Sequence, residues 1–98
     1  MSVIRHVMFH GRVQGVGFRA FVEDAAASRG LQGWVRNRRS GSVEAVLSGE
    51  AAAVDAVIKA CRNGPPSARV DRIDQREAAA SELALRGSQP FAVLPTVL

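Results

Sequence analysis

Residues Gly11-Arg12-Val13-Gln14-Gly15-Val16-Gly17-Phe18-Arg19 carry the clearest capacity for chemistry in this chain. A glycine-rich turn of this kind aims several backbone N–H groups at one concave point. A helix starting at its end adds the partial positive charge of a helix N-terminus there. Arg19 closes the segment with a planar fork of donors that matches phosphate oxygens. The segment therefore looks like a candidate cradle for a phosphate group.

Such a cradle needs a strand before it and a helix after it. The apolar run Val3 to Phe9 reads as the strand. From Phe18 to Arg29, apolar side chains at Phe18, Phe21, Val22, Ala25 and Ala26 have helical spacing, and Gly30 suits the left-handed position past a helix end. Gln32 to Asn37 reads as a second strand, Arg38 to Gly41 as a turn and Ser42 to Leu47 as the return strand of a hairpin. Glu50 to Arg62 predicts a second helix with Val54, Val57, Ile58 and Cys61 inward and Asp55, Lys59 and Arg62 outward. Asn63-Gly64-Pro65-Pro66 stops it. Ala68 to Asp74 predicts a fourth strand, and Ala78 to Gln89 an irregular connector. Phe91 to Leu94 reads as a short last strand ended by Pro95. The order is that of an α+β, ferredoxin-like β-α-β-β-α-β sandwich. It predicts a mostly antiparallel sheet, two helices on one face and a short extra C-terminal strand.

The 98 residues suit one domain, expected over 1–98, and the 47% hydrophobic content suits a packed core. The one cysteine excludes an internal disulfide and points to a reducing compartment. No run approaches the ~20 apolar residues of a membrane span, and the N-terminus lacks the pattern of a signal peptide. The expectation is a cytoplasmic protein with no membrane partner. A net charge of +4 favours an anionic partner, either a small molecule or a nucleic acid, or serves solubility alone.

Rival uses of a glycine loop fail on context. Gly15-Val16-Gly17-Phe18-Arg19-Ala20 fits a dinucleotide fingerprint, but the next strand ends in Arg36-Asn37-Arg38-Arg39, with no acidic residue for a ribose. No Gly-Lys-Ser/Thr follows the loop, so the Walker pattern is absent. Cys61 falls on an apolar helical stripe and reads as a core thiol, not a nucleophile. An RNA-recognition module shares the element order, but its aromatic motif belongs on the third strand. Here the similar residues open a helix, so no nucleic-acid partner is expected.

At this point the residues match a family. The segment Gly11 to Arg19 resembles the first signature of acylphosphatases. Gly33-Trp34-Val35-Arg36-Asn37, followed by Gly41-Ser42-Val43-Glu44, resembles their second. Gly64 to Asp71 resembles the segment before their fourth strand, and Phe91-Ala92-Val93 their final strand. The similarity runs from about Arg5 to Val93 in order and spacing. It implies a ferredoxin-like fold and hydrolysis of the carboxyl–phosphate bond of a small acyl phosphate to a carboxylate and inorganic phosphate. It implies Arg19 as the phosphoryl-binding residue, the loop amides of Gly15, Val16, Gly17 and Phe18 as the rest of the cradle, and Asn37 as the residue that positions the attacking water, with no metal or cofactor. Phosphate or sulfate would fit the same cradle. The expectation is a monomer.

The chemistry is self-consistent. A carboxylate leaving group, with a parent acid pKa of ~4, needs little protonation, so a dedicated general acid is unnecessary. Positioning and electrostatic stabilisation remain. An amide such as Asn37 can donate to and accept from a water. Each residue also has a plainer reading. Arg19 could be a helix-surface ion-pair residue, Asn37 a turn starter, and Gly15 and Gly17 turn formers only. Phe18 and Trp34 read as packing, Arg38 and Arg39 as a solvated turn, Glu44 as a solvated strand residue, and His6 and His10, which have no partner at ligand spacing, as ordinary strand residues. Two alternatives of another class are a phosphate sensor without turnover, and an acylphosphatase-like N-terminal domain of a larger carbamoyl-transfer maturation protein. The sequence as read stops at Leu98, so a stand-alone domain is the expectation. Retention of both Arg19 and Asn37 favours the enzyme.

Overall fold

A computed structural model describes residues 1–97. Strand β1 spans Ser2–Arg12, helix α1 Phe18–Ser28, β2 Gln32–Asn37, β3 Val43–Glu50, α2 Ala51–Asn63 and β4 Arg69–Glu77. A short helix α3, Ala80–Leu83, runs into a 3₁₀ turn at Ala84–Arg86, and β5 is Phe91–Val93. The sheet order is β4-β1-β3-β2-β5. All neighbours are antiparallel except β2 and β5, which are parallel. This is the expected ferredoxin-like arrangement with an added fifth strand.

The alternation of side chains along each strand sorts the sheet into two faces. Val7 and Phe9 of β1, Val35 of β2, and Val43, Ala45 and Leu47 of β3 join one core. Val22 and Ala26 of α1 and Val54, Val57, Ile58 and Cys61 of α2 close over them. The predicted stripes on both helices are therefore the buried ones, and Gly30, at φ 67°, takes the left-handed position after α1. Asp55, Lys59 and Arg62 face outward as expected.

The opposite face is not simply solvated. Trp34 and Val46 are buried there without belonging to the helix-side core. The segment expected as an irregular connector covers them. Glu82 caps the N-terminus of α3 by accepting from the Ala79 N–H at 2.8 Å, and its side chain also accepts from Arg76 at 2.7 Å. The Trp34 indole N–H donates to the Glu82 carbonyl at 2.7 Å, while the Arg36 guanidinium lies 4.6 Å from the Trp34 ring. Trp34 thus packs, as expected, but beneath α3.

Several strands run longer than their apolar runs predict. β1 extends to Arg12, β3 starts at Val43 and continues to Glu50, and β4 continues to Glu77. The polar extension of β4 pairs with β1 on one side only, and an edge strand can carry polar side chains throughout. β5 stops at Val93, one residue short of the expected Leu94, and pairing resumes beyond Pro95. Val97 N–H reaches the Asn37 carbonyl at 3.4 Å, and the Arg39 N–H donates to the Val97 carbonyl at 3.0 Å. Of the tail Leu94–Leu98, Leu98 lies outside the described residues.

Candidate active site

β1 and β2 each run antiparallel to β3, so they are parallel to one another and end at the same end of the sheet. The register sets Phe9, Val43 and Asn37 abreast across the three strands. Asn37 therefore stands about 10 Å from β1, two strand spacings away. The glycine loop leaves β1 at that same end. Topology alone brings the two sequence motifs together.

The loop is shaped by its glycines. Gly15 has φ 72° and Gly17 φ 80°, values that L side chains adopt only with strain. Gly17 is also the residue that caps α1, and it has no side chain to occupy the first N–H groups of the helix. Among the described residues, the N–H groups of Gly15 through Ala20 find no acceptor within the chain. Phe18 anchors the loop from below. It is 1% exposed and meets the Phe9 ring edge-on, centroids 5.0 Å apart. It packs, as expected, and turns the adjacent Arg19 outward.

A pocket of about 300 Å³ opens over this loop, lined by Val13, Gly15, Gly17, Phe18, Arg19, Ala20, Glu23, Asn37 and Val93. Of the expected site residues, Gly15, Gly17, Phe18, Arg19 and Asn37 line one cavity. Val16 does not line it, and packs partly against the core. Arg19 is half-buried and has no ion-pair partner among the described residues. The Asn37 side-chain oxygen is buried with no hydrogen-bond partner among the described residues. The cavity thus pairs an unneutralised guanidinium and unused backbone donors with an unused amide acceptor. Such a lining suits an oxyanion and a neighbouring hydroxylic molecule.

Two positioning devices escape a reading of the sequence. The first is Gln14. Its side-chain N–H₂ donates to the Arg38 carbonyl at 2.7 Å and the Ser42 carbonyl at 2.9 Å. The glycine loop is thereby tied to the turn that follows Asn37. The signal was the one amide side chain inside the loop, but its partners are backbone carbonyls that no sequence pattern marks.

The second device is Glu44, and it corrects the expectation of a solvated strand residue. Glu44 is 7% exposed on the face opposite the helices. One oxygen lies 2.7 Å from His6 Nε2, and the other accepts from Arg36 at 2.7 Å and Arg38 at 3.2 Å. The two residues flanking Asn37 are thus pinned to one carboxylate. Burial alone would push the Glu44 carboxyl up. The hydrogen bonds from His6 and Arg36 and the charges of Arg36 and Arg38 outweigh it and hold the group below 4.5. Arg38 accordingly is no solvated turn residue, whereas Arg39 is exposed as expected.

Both histidines, expected as ordinary strand residues, have hydrogen-bond partners on neighbouring strands. His6 donates to Glu44. His10 lies 3.0 Å from both Ser42 Oγ, through Nδ1, and Asp74, through Nε2. The Arg72 guanidinium lies 3.3 Å from the same Nε2, so this nitrogen sits between a carboxylate and a cation at the exposed edge of the sheet. Cys61 is buried and its thiol is pushed up to about 12 by burial, as suits a core thiol.

The chain is similar to known proteins of one family over nearly its whole length. The acylphosphatase family model matches residues 5–88. An acylphosphatase of Bradyrhizobium diazoefficiens is 55% identical over 95 residues, 96% of each chain. The crystal structure of acylphosphatase from Bacillus subtilis superposes with a TM-score of 0.82 at 37% identity, covering 96% of this chain and 99% of that one. Full-length HypF, in a phosphate- and nucleotide-bound form, superposes with a TM-score of 0.83 at 31% identity, over 99% of this chain and 12% of that one. With both signatures, the fold and near-complete coverage in agreement, the chain belongs to the acylphosphatase family.

Proposed function

We propose that the pocket hydrolyses the carboxyl–phosphate bond of a small acyl phosphate, with Arg19 and the amides of Gly15 to Phe18 binding the phosphoryl group and Asn37 aiming the water. The observation that carries this reading is the joint lining of one cavity by an unneutralised Arg19 and a buried, unpartnered Asn37 oxygen. An unsatisfied buried amide oxygen costs about 1–3 kcal/mol. A water held there for attack satisfies it.

In the reaction, the water oxygen bonds to phosphorus as the bond from phosphorus to the acyl oxygen breaks. The electron pair of that bond leaves with the carboxylate. The proton released by the water passes to a phosphoryl oxygen, a base that the substrate brings with it. Charge spreads over the phosphoryl oxygens in the transition state, where Arg19 and the loop amides stabilise it. Asn37 accepts from the water and restricts its orientation, which removes an entropic part of the barrier. The chain works without a metal in this scheme, as a monomer in the cytoplasm.

Benzoyl phosphate hydrolysis in the presence of EDTA tests the reading, and clear turnover is expected. Asn37→Ala should abolish turnover while phosphate binding, measured by calorimetry, survives. Arg19→Ala should lose both. Full activity in Asn37→Ala sinks the mechanism. Tight phosphate binding by a wild-type chain that turns over no acyl phosphate would instead identify a sensor.

A further inference from the structure

The pocket has a second end. In the reading above, on which this inference rests, the phosphoryl group and water occupy Gly15, Gly17, Arg19 and Asn37. Val13 and Phe18 are each 1% exposed and offer almost no surface. The lining left for the acyl group is Ala20, Glu23 and Val93. Val93, on β5, is 45% exposed, one of few large apolar side chains left open to solvent. Glu23 stands one helical turn beyond Arg19 on the same face of α1. It is half-buried, and it has no hydrogen-bond or ion-pair partner among the described residues. Arg19 and Glu23 therefore line the same cavity without neutralising each other.

We infer that Glu23 and Val93 form the acyl-group end of the pocket and that Glu23 filters substrates by charge. The favoured acyl phosphates carry an apolar group that is neutral or cationic, and those with a second anionic group on the acyl side are disfavoured. The surface as a whole acts in the opposite sense. With a net charge of +4 it draws every anion inward, so this discrimination has to arise locally. A like-charge contact at a partly solvated rim changes affinity by about three- to tenfold. Val93 adds apolar contact for an aryl or alkyl group, which a charged group forfeits.

The test compares benzoyl phosphate with 4-carboxybenzoyl phosphate in turnover. It also compares benzylphosphonate with 4-carboxybenzylphosphonate in calorimetric binding. Wild type should favour the uncarboxylated member of each pair. Glu23→Gln should shrink that preference by about three- to tenfold, and Glu23→Lys should reverse it. Asp24→Asn is the control. It makes the same change in net charge at an exposed neighbour outside the pocket, and should leave activity and preference as they are. An unchanged preference in Glu23→Gln, or an equal shift in Asp24→Asn, overturns the filter. The two readings fail separately. A binding preference that shifts in a chain without turnover keeps the filter and removes the hydrolase. Turnover with no shift does the reverse.

Discussion

Replacing Gln14 by Met keeps the length of the side chain and removes the amide that ties the glycine loop to the β2–β3 turn. Both carbonyls that Gln14 reaches keep another donor. Gly41 N–H donates to the Arg38 carbonyl at 3.1 Å, and Arg38 N–H to the Ser42 carbonyl at 2.9 Å. No acceptor is orphaned, so the cost is the net value of two hydrogen bonds, about 1–3 kcal/mol. Each kcal/mol lowers Tm by about 4–8 °C in a domain of this size. The catalytic cost is separate, because Arg19 and Asn37 then belong to segments free to shift against one another. A displacement near 1 Å costs about 100-fold, so kcat should fall by about 10- to 100-fold. Phosphate inhibition should stay within about threefold, since its binding groups are untouched. Gln14→Glu should be worse on both counts, because a carboxylate would face two carbonyl oxygens. The assay is benzoyl phosphate hydrolysis well below the variant's Tm, with thermal unfolding measured alongside. If Tm falls as stated while kcat stays within about twofold of wild type, Asn37 is held in place without Gln14 and the reasoning fails.

Glu44→Gln should destabilise by about 2–3 kcal/mol in chemical denaturation, because Arg36 and Arg38 lose a largely buried counter-charge, and kcat should fall with it. The Glu82 carboxyl is lowered from 4.5 to about 2, first by the hydrogen bond from Arg76 and then by that from the Ala79 N–H. Its contribution is complete above about pH 4.5 and is lost as pH falls through 2, so acid should loosen α3 and red-shift Trp34 fluorescence, less steeply in Glu82→Gln. Cys61, with its thiol raised to about 12 by burial, should resist a disulfide reagent at pH 8 and react only as the chain unfolds.

What the sequence made legible shares one physical origin. The helix stripes, the glycine loop and the hairpin are local patterns in which neighbours a few residues apart decide the structure. Val54, Val57, Ile58 and Cys61 recur at helical spacing because one core buries them. The opposite face was not legible, for the complementary reason. His6 meets Glu44 across 38 residues and His10 meets Asp74 across 64, and polar side chains on alternate strand positions look solvated until their partners are known. Trp34 gave no hint of which face it packs on, because its cover is a four-residue helix held by Glu82 rather than by apolar periodicity. In the site, Arg19 and Asn37 could be named from their motifs. Glu23 could not, since a glutamate on an amphipathic helix ordinarily marks the solvent side.

The strand that separates the two motifs, β3, lines no part of the pocket, and yet its first residues govern it. Just before it, the Ser42 carbonyl accepts from Gln14 and the Ser42 hydroxyl lies 3.0 Å from His10 Nδ1. Val43 fixes the register of both Phe9 and Asn37. Glu44 neutralises Arg36 and Arg38 on the face away from the pocket. That neutralisation matters for binding as much as for rigidity. Arg36 and Arg38 flank Asn37 and Arg39 follows, a local excess of positive charge that would otherwise draw anions away from Arg19. With two of them paired to Glu44 and Arg39 exposed to screening by water, the half-buried guanidinium of Arg19 is the cation that an entering phosphoryl group meets in the pocket. A carboxylate on the back of the sheet thus helps decide where the substrate is held on the front.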